Sequence, residues 1–189
     1  MTELIVRKAE AEEYESVMDF YRSMTDRRKE RGLTITWVRD VNPSPAFIKQ
    51  SIEEGSLYTG RPGERIVSAM VLNHRHAPQY KNAAWALPLC EKEYFVIHSL
   101  GTDPDFAGKG IGDCMIREAA ARAREMGAKA LRLDVLDTNE PAKRLYLRCG
   151  FTFRGESQLY YENTGWRTFE MHELLLQEEK MEEEGRSQL

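Results

Sequence analysis

Between Tyr94 and Gly127 the chain passes from an apolar segment, Tyr94–Thr102, into a turn with glycines at 108, 110 and 112. An amphipathic stretch from about Gly110 to Met126 follows, ended by Gly127. This order fixes a strand running into a helix through a tight turn, and a helix so placed must pack back onto the strand's sheet. Its small-residue stripe, Gly112, Ile116, Ala119, Ala120 and Ala123, permits that close packing. The first helical N–H groups point outward without intrahelical partners, and glycines let the backbone approach a ligand. Free amides and the positive end of the helix dipole form a site for phosphate or pyrophosphate, to which Lys109 adds a point charge.

Two familiar phosphate motifs fit poorly. A P-loop needs Gly five residues before Gly-Lys and Ser or Thr after it, where Asp103 and Gly110 stand. A dinucleotide fingerprint needs Gly where the sequence has Asp113. Taken alone, the glycines fit a simple tight turn as well as a ligand site.

Composition narrows the function classes. Of 189 residues, 41% are hydrophobic, enough for a core, and 31% are charged, with no apolar run long enough to span a membrane. Residues 177–189 hold five glutamates against Lys180 and Arg186, so most of the net charge of −4 lies in this tail. A near-neutral body without a basic stripe argues against a nucleic-acid partner. Met1–Arg7 contain no long apolar stretch, so a cytoplasmic location without membrane attachment is expected. Cys90, Cys114 and Cys149 form no paired spacing and the four histidines no HExxH, so no metal site is expected.

The remaining elements follow from periodicity. Glu3–Lys8 reads as a strand. Tyr14, Val17, Met18, Tyr21 and Met24 mark a helix over Glu10–Arg31 that ends near Gly32. Thr34–Val38 is β-rich. Ser44 or Pro45 opens a helix to Glu54, and strands follow at Ser56–Thr59 and Ile66–His74. Ala77–Glu93, with Tyr80 and Trp85, is an aperiodic connection of the length that tends to be functional or mobile. Leu131, Leu133 and Val135 alternate with Arg132 and Asp134 in a clean strand. Asp137–Glu140 resembles a capping box before a short helix with Ala142, Leu145, Tyr146 and Cys149 on one face. Strands at Phe151–Gly155 and Thr168–Leu174 complete one domain over residues 1–176, with residues 177–189 as a charged tail.

Asn139 lies 29 residues after Gly110 and opens Asn139-Glu140-Pro141-Ala142-Lys143-Arg144-Leu145-Tyr146-Leu147-Arg148-Cys149-Gly150-Phe151. With Ala107-Gly108-Lys109-Gly110-Ile111-Gly112 before it, this segment resembles the GNAT superfamily of acetyl-CoA-dependent N-acetyltransferases over roughly Tyr94 to Phe151. The resemblance implies an α/β (α+β) fold: a mixed, mostly antiparallel central sheet of six to seven strands flanked by about four helices. It also implies transfer of acetyl from acetyl-CoA to a primary amine by direct attack in a ternary complex. A non-catalytic acyl-CoA-binding sensor or interaction module on the same fold is the alternative. Leu100, Gly101 and Thr102 would pair with the pantetheine arm, and the amides of Ala107, Gly108, Lys109, Gly110, Ile111 and Gly112 would hold the pyrophosphate. Asn139 would bond the arm and Tyr146 would stand near the sulfur. Ala107 replaces the family's Gln or Arg, a loss that amide binding tolerates.

Acetyl transfer needs a neutral amine, a donor to the oxyanion and a proton for the leaving thiolate. Tyr146 is the candidate acid, and a backbone N–H near Leu100 the candidate donor. His98 is a candidate base, placed by strand alternation on the side of Leu100 and Thr102, with Glu93 as the rival base acting through water. A buried structural role stands beside the catalytic one for both Tyr146 and His98. The resemblance builds the acceptor pocket from Tyr14–Arg31, the Trp37 region, where anchoring is favoured, and the 77–93 connection. The acceptor is expected to be a small-molecule or peptide amine, and a homodimer is compatible with the family.

Overall fold

The structure, a computed structural model, describes residues 4–31, 37–161 and 165–176. Most of the Thr34–Val38 segment and all of the charged tail lie outside these residues. Among the described residues no helix is long and apolar enough to cross a membrane.

Seven strands form one sheet in the order β1-β2-β3-β4-β5-β7-β6. They are β1 (Ile5–Lys8), β2 (Leu57–Arg61), β3 (Ser68–Asn73), β4 (Tyr94–Thr102), β5 (Ala130–Leu136), β6 (Thr152–Tyr161) and β7 (Gly165–Leu175). The four helices are α1 (Tyr14–Glu30), α2 (Pro45–Glu53), α3 (Ile111–Glu125) and α4 (Glu140–Arg148). Each neighbouring strand pair is antiparallel except β4–β5. This is the mixed, mostly antiparallel α/β sheet that the sequence resemblance implies.

Helices cover both faces. Met115, Ile116, Ala119, Ala120 and Ala123 of α3 pack with Tyr146 of α4 on Leu131, Leu133 and Val135. On the other face, Val17, Met18, Tyr21 and Met24 of α1 join Ile48 and Ile52 of α2 over Leu57, Ala69 and Val71. Ser44 starts α2, its hydroxyl accepting from the Phe47 N–H at 3.2 Å with Pro45 in the first turn. The cap of α4 is Asn139 alone, which accepts from the Ala142 N–H at 3.4 Å, rather than the expected Asp137–Glu140 box.

The 77–93 connection is an anchored cover. Tyr80 is buried, the Trp85 indole donates to the Tyr80 carbonyl at 2.7 Å, and both pack with Ala77, Ala83 and Leu89 on Tyr94, Val96, Ala130 and Met171. Beneath it, Arg132 pairs with the fully buried Glu173 at 3.0 Å and lies against the Trp85 and Tyr94 rings. The last two strands are longer than the sequence shows. Leu159↔Arg167 and Tyr160↔Trp166 extend the hairpin because each strand supplies the other's backbone partners, whatever its side-chain pattern.

Candidate active site

The parallel β4–β5 pairing is short, joining Tyr94–Val96 to Ala130–Arg132. Beyond it the two strands splay. The gap opens into a cavity of about 770 Å³, bordered by the second half of β4, the end of β5, the α3 turn, α4 and the α1–α2 region. A cavity of this size suits a ligand of substantial length.

A bulge shapes the β4 side. Its register against β3 jumps from Ala69↔Gly101 to Val71↔His98, leaving Ser99 and Leu100 without register partners. Ser99 adopts φ +50°, an uncommon conformation for a non-glycine residue, and the Tyr21 hydroxyl donates to its carbonyl at 2.9 Å. The extra residue overturns the expected alternation. Leu100 packs toward the α3 core, whereas His98 meets Phe47 of α2. Both still border the cavity, because it passes through the splay from one face of the sheet to the other. Thr102 borders it as well. Gly101 does not: it faces α1, where a Cβ would come within 2.8 Å of the Met24 sulfur.

At the α3 turn, Gly108 and Gly110 have φ +74° and +75°, the left-handed region that glycine enters without strain. The Ala107 and Lys109 N–H groups close the turn onto Pro104 and Phe106, so they are taken, unlike the other amides of the expected cradle. The N–H groups of Gly108, Gly110, Ile111 and Gly112 have no backbone partner among the described residues, and all four residues border the cavity. The Lys109 ammonium sits 4.7 Å from the Phe106 ring centre, and Lys109 is absent from the cavity wall. Asn139 borders the cavity too. Its Oδ1 serves the α4 cap, leaving its NH₂ without a partner among the described residues.

Tyr146 is buried at the cavity wall, and its hydroxyl makes no hydrogen bond to a described residue. Burial, reinforced by the charge of Asp134, raises its pKa well above that of an ordinary phenol, so it stays protonated. The His98 Nε2 lies 3.1 Å from Asn73 Oδ1 and 3.0 Å from the Arg75 carbonyl. A carbonyl only accepts, so Nε2 carries the proton and neutral His98 keeps its lone pair on Nδ1. Burial lowers the His98 pKa, with Asp134 acting in the opposite sense.

Glu93, the rival base, stands away from the cavity. Lys129 holds its carboxylate at 2.5 Å, and that bond, with the Cys90 N–H, brings its pKa down to about 2. A carboxylate so stabilised is a weak proton acceptor. Tyr80 and Trp85 are also absent from the cavity wall, which on this side is Trp37, Asn42, Pro43, Ser44 and Phe47. Trp37 is both wall and anchor, its ring 5.8 Å from that of Tyr21.

The arrangement of a splayed parallel pair, a glycine-turn helix start and an Asn-capped helix carrying a cavity-facing Tyr coincides with a match to a family model. The model of the acetyltransferase (GNAT) family covers residues 14–151. The chain belongs to the GNAT acetyltransferase family. Streptothricin acetyltransferase of Streptomyces lavendulae is 43% identical over 68 residues, 36% of this chain and 36% of that protein, so the likeness spans about a third of that relative's length. A GNAT family acetyltransferase from Listeria monocytogenes superposes with a TM-score of 0.71 at 22% identity, covering 92% of this chain and 95% of that one. The Salmonella typhimurium protein yncA, solved with its cofactor acetyl-CoA, gives 0.62 at 16% identity over 94% and 96% of the two chains. GNAT acetyltransferases use acetyl-CoA, and the partnerless amides of the α3 turn suit its diphosphate.

Two groups of this candidate site escape sequence reasoning. Asp134 looks like an outward polar residue of a clean strand, yet it lies at the splayed end of β5, where it accepts from the Tyr80 hydroxyl at 2.6 Å and borders the cavity. Burial raises its pKa against the opposing effect of Tyr80 and His98. Arg28 also borders the cavity, from α1. Only the placement of the 77–93 cover and the direction of α1 single these residues out.

Gly112 has a packing role besides its amide. A Cβ there would lie 2.8 Å from Leu145 Cδ2, so α3 and α4 touch at this glycine. Gly112→Val, whose branched side chain exceeds what a turn of the Leu145 side chain can admit, is expected to cost about 1–3 kcal/mol by overpacking. A lower urea midpoint with an unchanged slope would show it, and an unchanged midpoint would refute the tight contact.

Proposed function

We propose that this GNAT acetyltransferase moves acetyl from acetyl-CoA to an amine by direct attack within a ternary complex. The observation that carries the reading is the buried Tyr146 hydroxyl, without a hydrogen bond to a described residue, in the same cavity as His98 and the α3-turn amides that have no backbone partner among the described residues.

Acetyl-CoA supplies an activated thioester; the chain supplies the rest. Gly108, Gly110, Ile111 and Gly112 hold the diphosphate through main-chain N–H groups, and the Asn139 NH₂ donates to the pantetheine arm. Leu100, freed from β3 by the bulge, offers its N–H to the developing oxyanion. His98 takes a proton from the acceptor ammonium at Nδ1, and its Nε2–H is held by Asn73 and Arg75. Asp134, beside His98, favours the imidazolium that forms. Tyr146 gives its proton to the departing thiolate, and the second proton that the attacking nitrogen sheds as the amide forms restores the phenol.

A thiol-release assay across an amine panel tests the transfer. Turnover with any amine supports it; tight acetyl-CoA binding with no turnover supports the sensor reading instead. The histidine adds a pH prediction. A base must be neutral, and the His98 pKa lies below its ordinary 6.5. The acid limb of kcat/KM is therefore expected below pH 6.5, activity falling as His98 protonates. His98→Gln should remove that limb and lower the plateau by about 100-fold. A limb that persists in the variant would assign the proton to another group.

A further inference from the structure

Three arginines leave the last turns of α1, and two are neutralised. Arg27 pairs with Asp103 at 2.8 Å and also with Asp105; Arg31 meets Asp105 at 2.9 Å. Arg28 differs. Its Nε is buried without a hydrogen-bond partner, and it forms no ion pair with a described residue. It borders the cavity, and its charge interacts with Tyr146. The other charged wall residues are accounted for: Asp113 and Arg148 pair at 2.8 Å, and Asp134 accepts from Tyr80. One cation is thus left with a buried, unmade donor, which is costly unless a ligand completes it.

We propose that Arg28 determines acceptor specificity and that the acceptor is a small amine that also bears a carboxylate. Nε and a terminal N–H of one guanidinium form a planar fork that matches both oxygens of a carboxylate. The cofactor's anionic end has its own site at the α3 turn, whereas Arg28 projects from α1, the element before the Trp37 and Phe47 wall. The amine end then lies toward the His98 Nδ1 lone pair and Asp134, both hydrogen-bond acceptors for its N–H groups. This inference rests on the transfer reading for what the amine does, but not for the binding of the carboxylate.

The test compares protein L-amino acids with their primary amides and decarboxylated amines, by calorimetry on the CoA-bound protein and by thiol release. Wild type is expected to favour acid over amide by about 10- to 100-fold in Kd and kcat/KM. Arg28→Gln should erase that preference and Arg28→Lys should restore part of it, with the acetyl-CoA Kd of both within about threefold of wild type. Equal binding of acid and amide to wild type would overturn the proposal, as would binding by no acid in the panel. A tenfold weaker acetyl-CoA Kd in Arg28→Gln would do so too, assigning the arginine to the cofactor. Acid preference in binding without thiol release would keep Arg28's role and defeat transfer. Thiol release without acid preference would do the reverse. If Arg28→Gln does not fold, the wild-type comparison and Arg28→Lys still decide.

Discussion

Tyr146→Phe is expected to lower kcat by about 100-fold or more while leaving the acetyl-CoA Kd within about threefold of wild type. A hundredfold loss corresponds to about 2.7 kcal/mol of transition-state stabilisation. The substitution is clean, because the hydroxyl has no partner among the described residues and its removal orphans nothing. The ring remains against Phe151, with centroids 5.8 Å apart, so the α4 packing persists. A purely structural Tyr146 predicts the opposite pattern, with normal kcat and a shifted melting temperature, so steady-state kinetics beside a thermal melt separates the two. Unchanged turnover would remove the acid role.

Glu173→Ala is expected to be the most destabilising single change in the sheet, at about 3–5 kcal/mol. The carboxylate is wholly buried and accepts from Arg132 at 3.0 Å, Arg154 at 3.1 Å and the Ala86 N–H at 2.8 Å. Its loss leaves Arg132, itself buried, as an uncompensated charge and releases a main-chain anchor of the 77–93 cover. For a chain of this size, a melting temperature lower by about 10 °C or more follows. Limited proteolysis should begin within the cover, and Glu173→Gln, which keeps the shape and one acceptor, should fall between. A variant as stable as wild type, or cut first elsewhere, would contradict this account of the buried pair.

Much of this fold was readable because its signals are local. The α3 turn announces itself through glycines and the α4 start through the Asp137–Glu140 segment, within which Asn139 alone is the cap, since caps and turns depend on nearby residues. What stayed hidden depends on distant ones. Alternation correctly set Arg132 and Asp134 apart from their apolar neighbours, but it identifies a face and not what covers that face. Here the cover is an aperiodic connection, so residues that look solvated are buried. The side assigned to His98 failed for a related reason: one inserted residue at Ser99 reverses the parity of the strand, and no composition signal marks it. Arg28 sits in the run Asp26-Arg27-Arg28-Lys29, where only the three-dimensional pairing of its neighbours distinguishes it.

The splay between β4 and β5 divides the pocket between two hydrophobic cores that share little but the sheet. On the proposed reading, residues that grip the nucleotide end hang on α3 and α4, and the specificity-setting Arg28 hangs on α1. Mutations that retune substrate choice can therefore accumulate on one side without loosening the other. A lineage built on such a frame can change what it modifies while keeping the donor it uses.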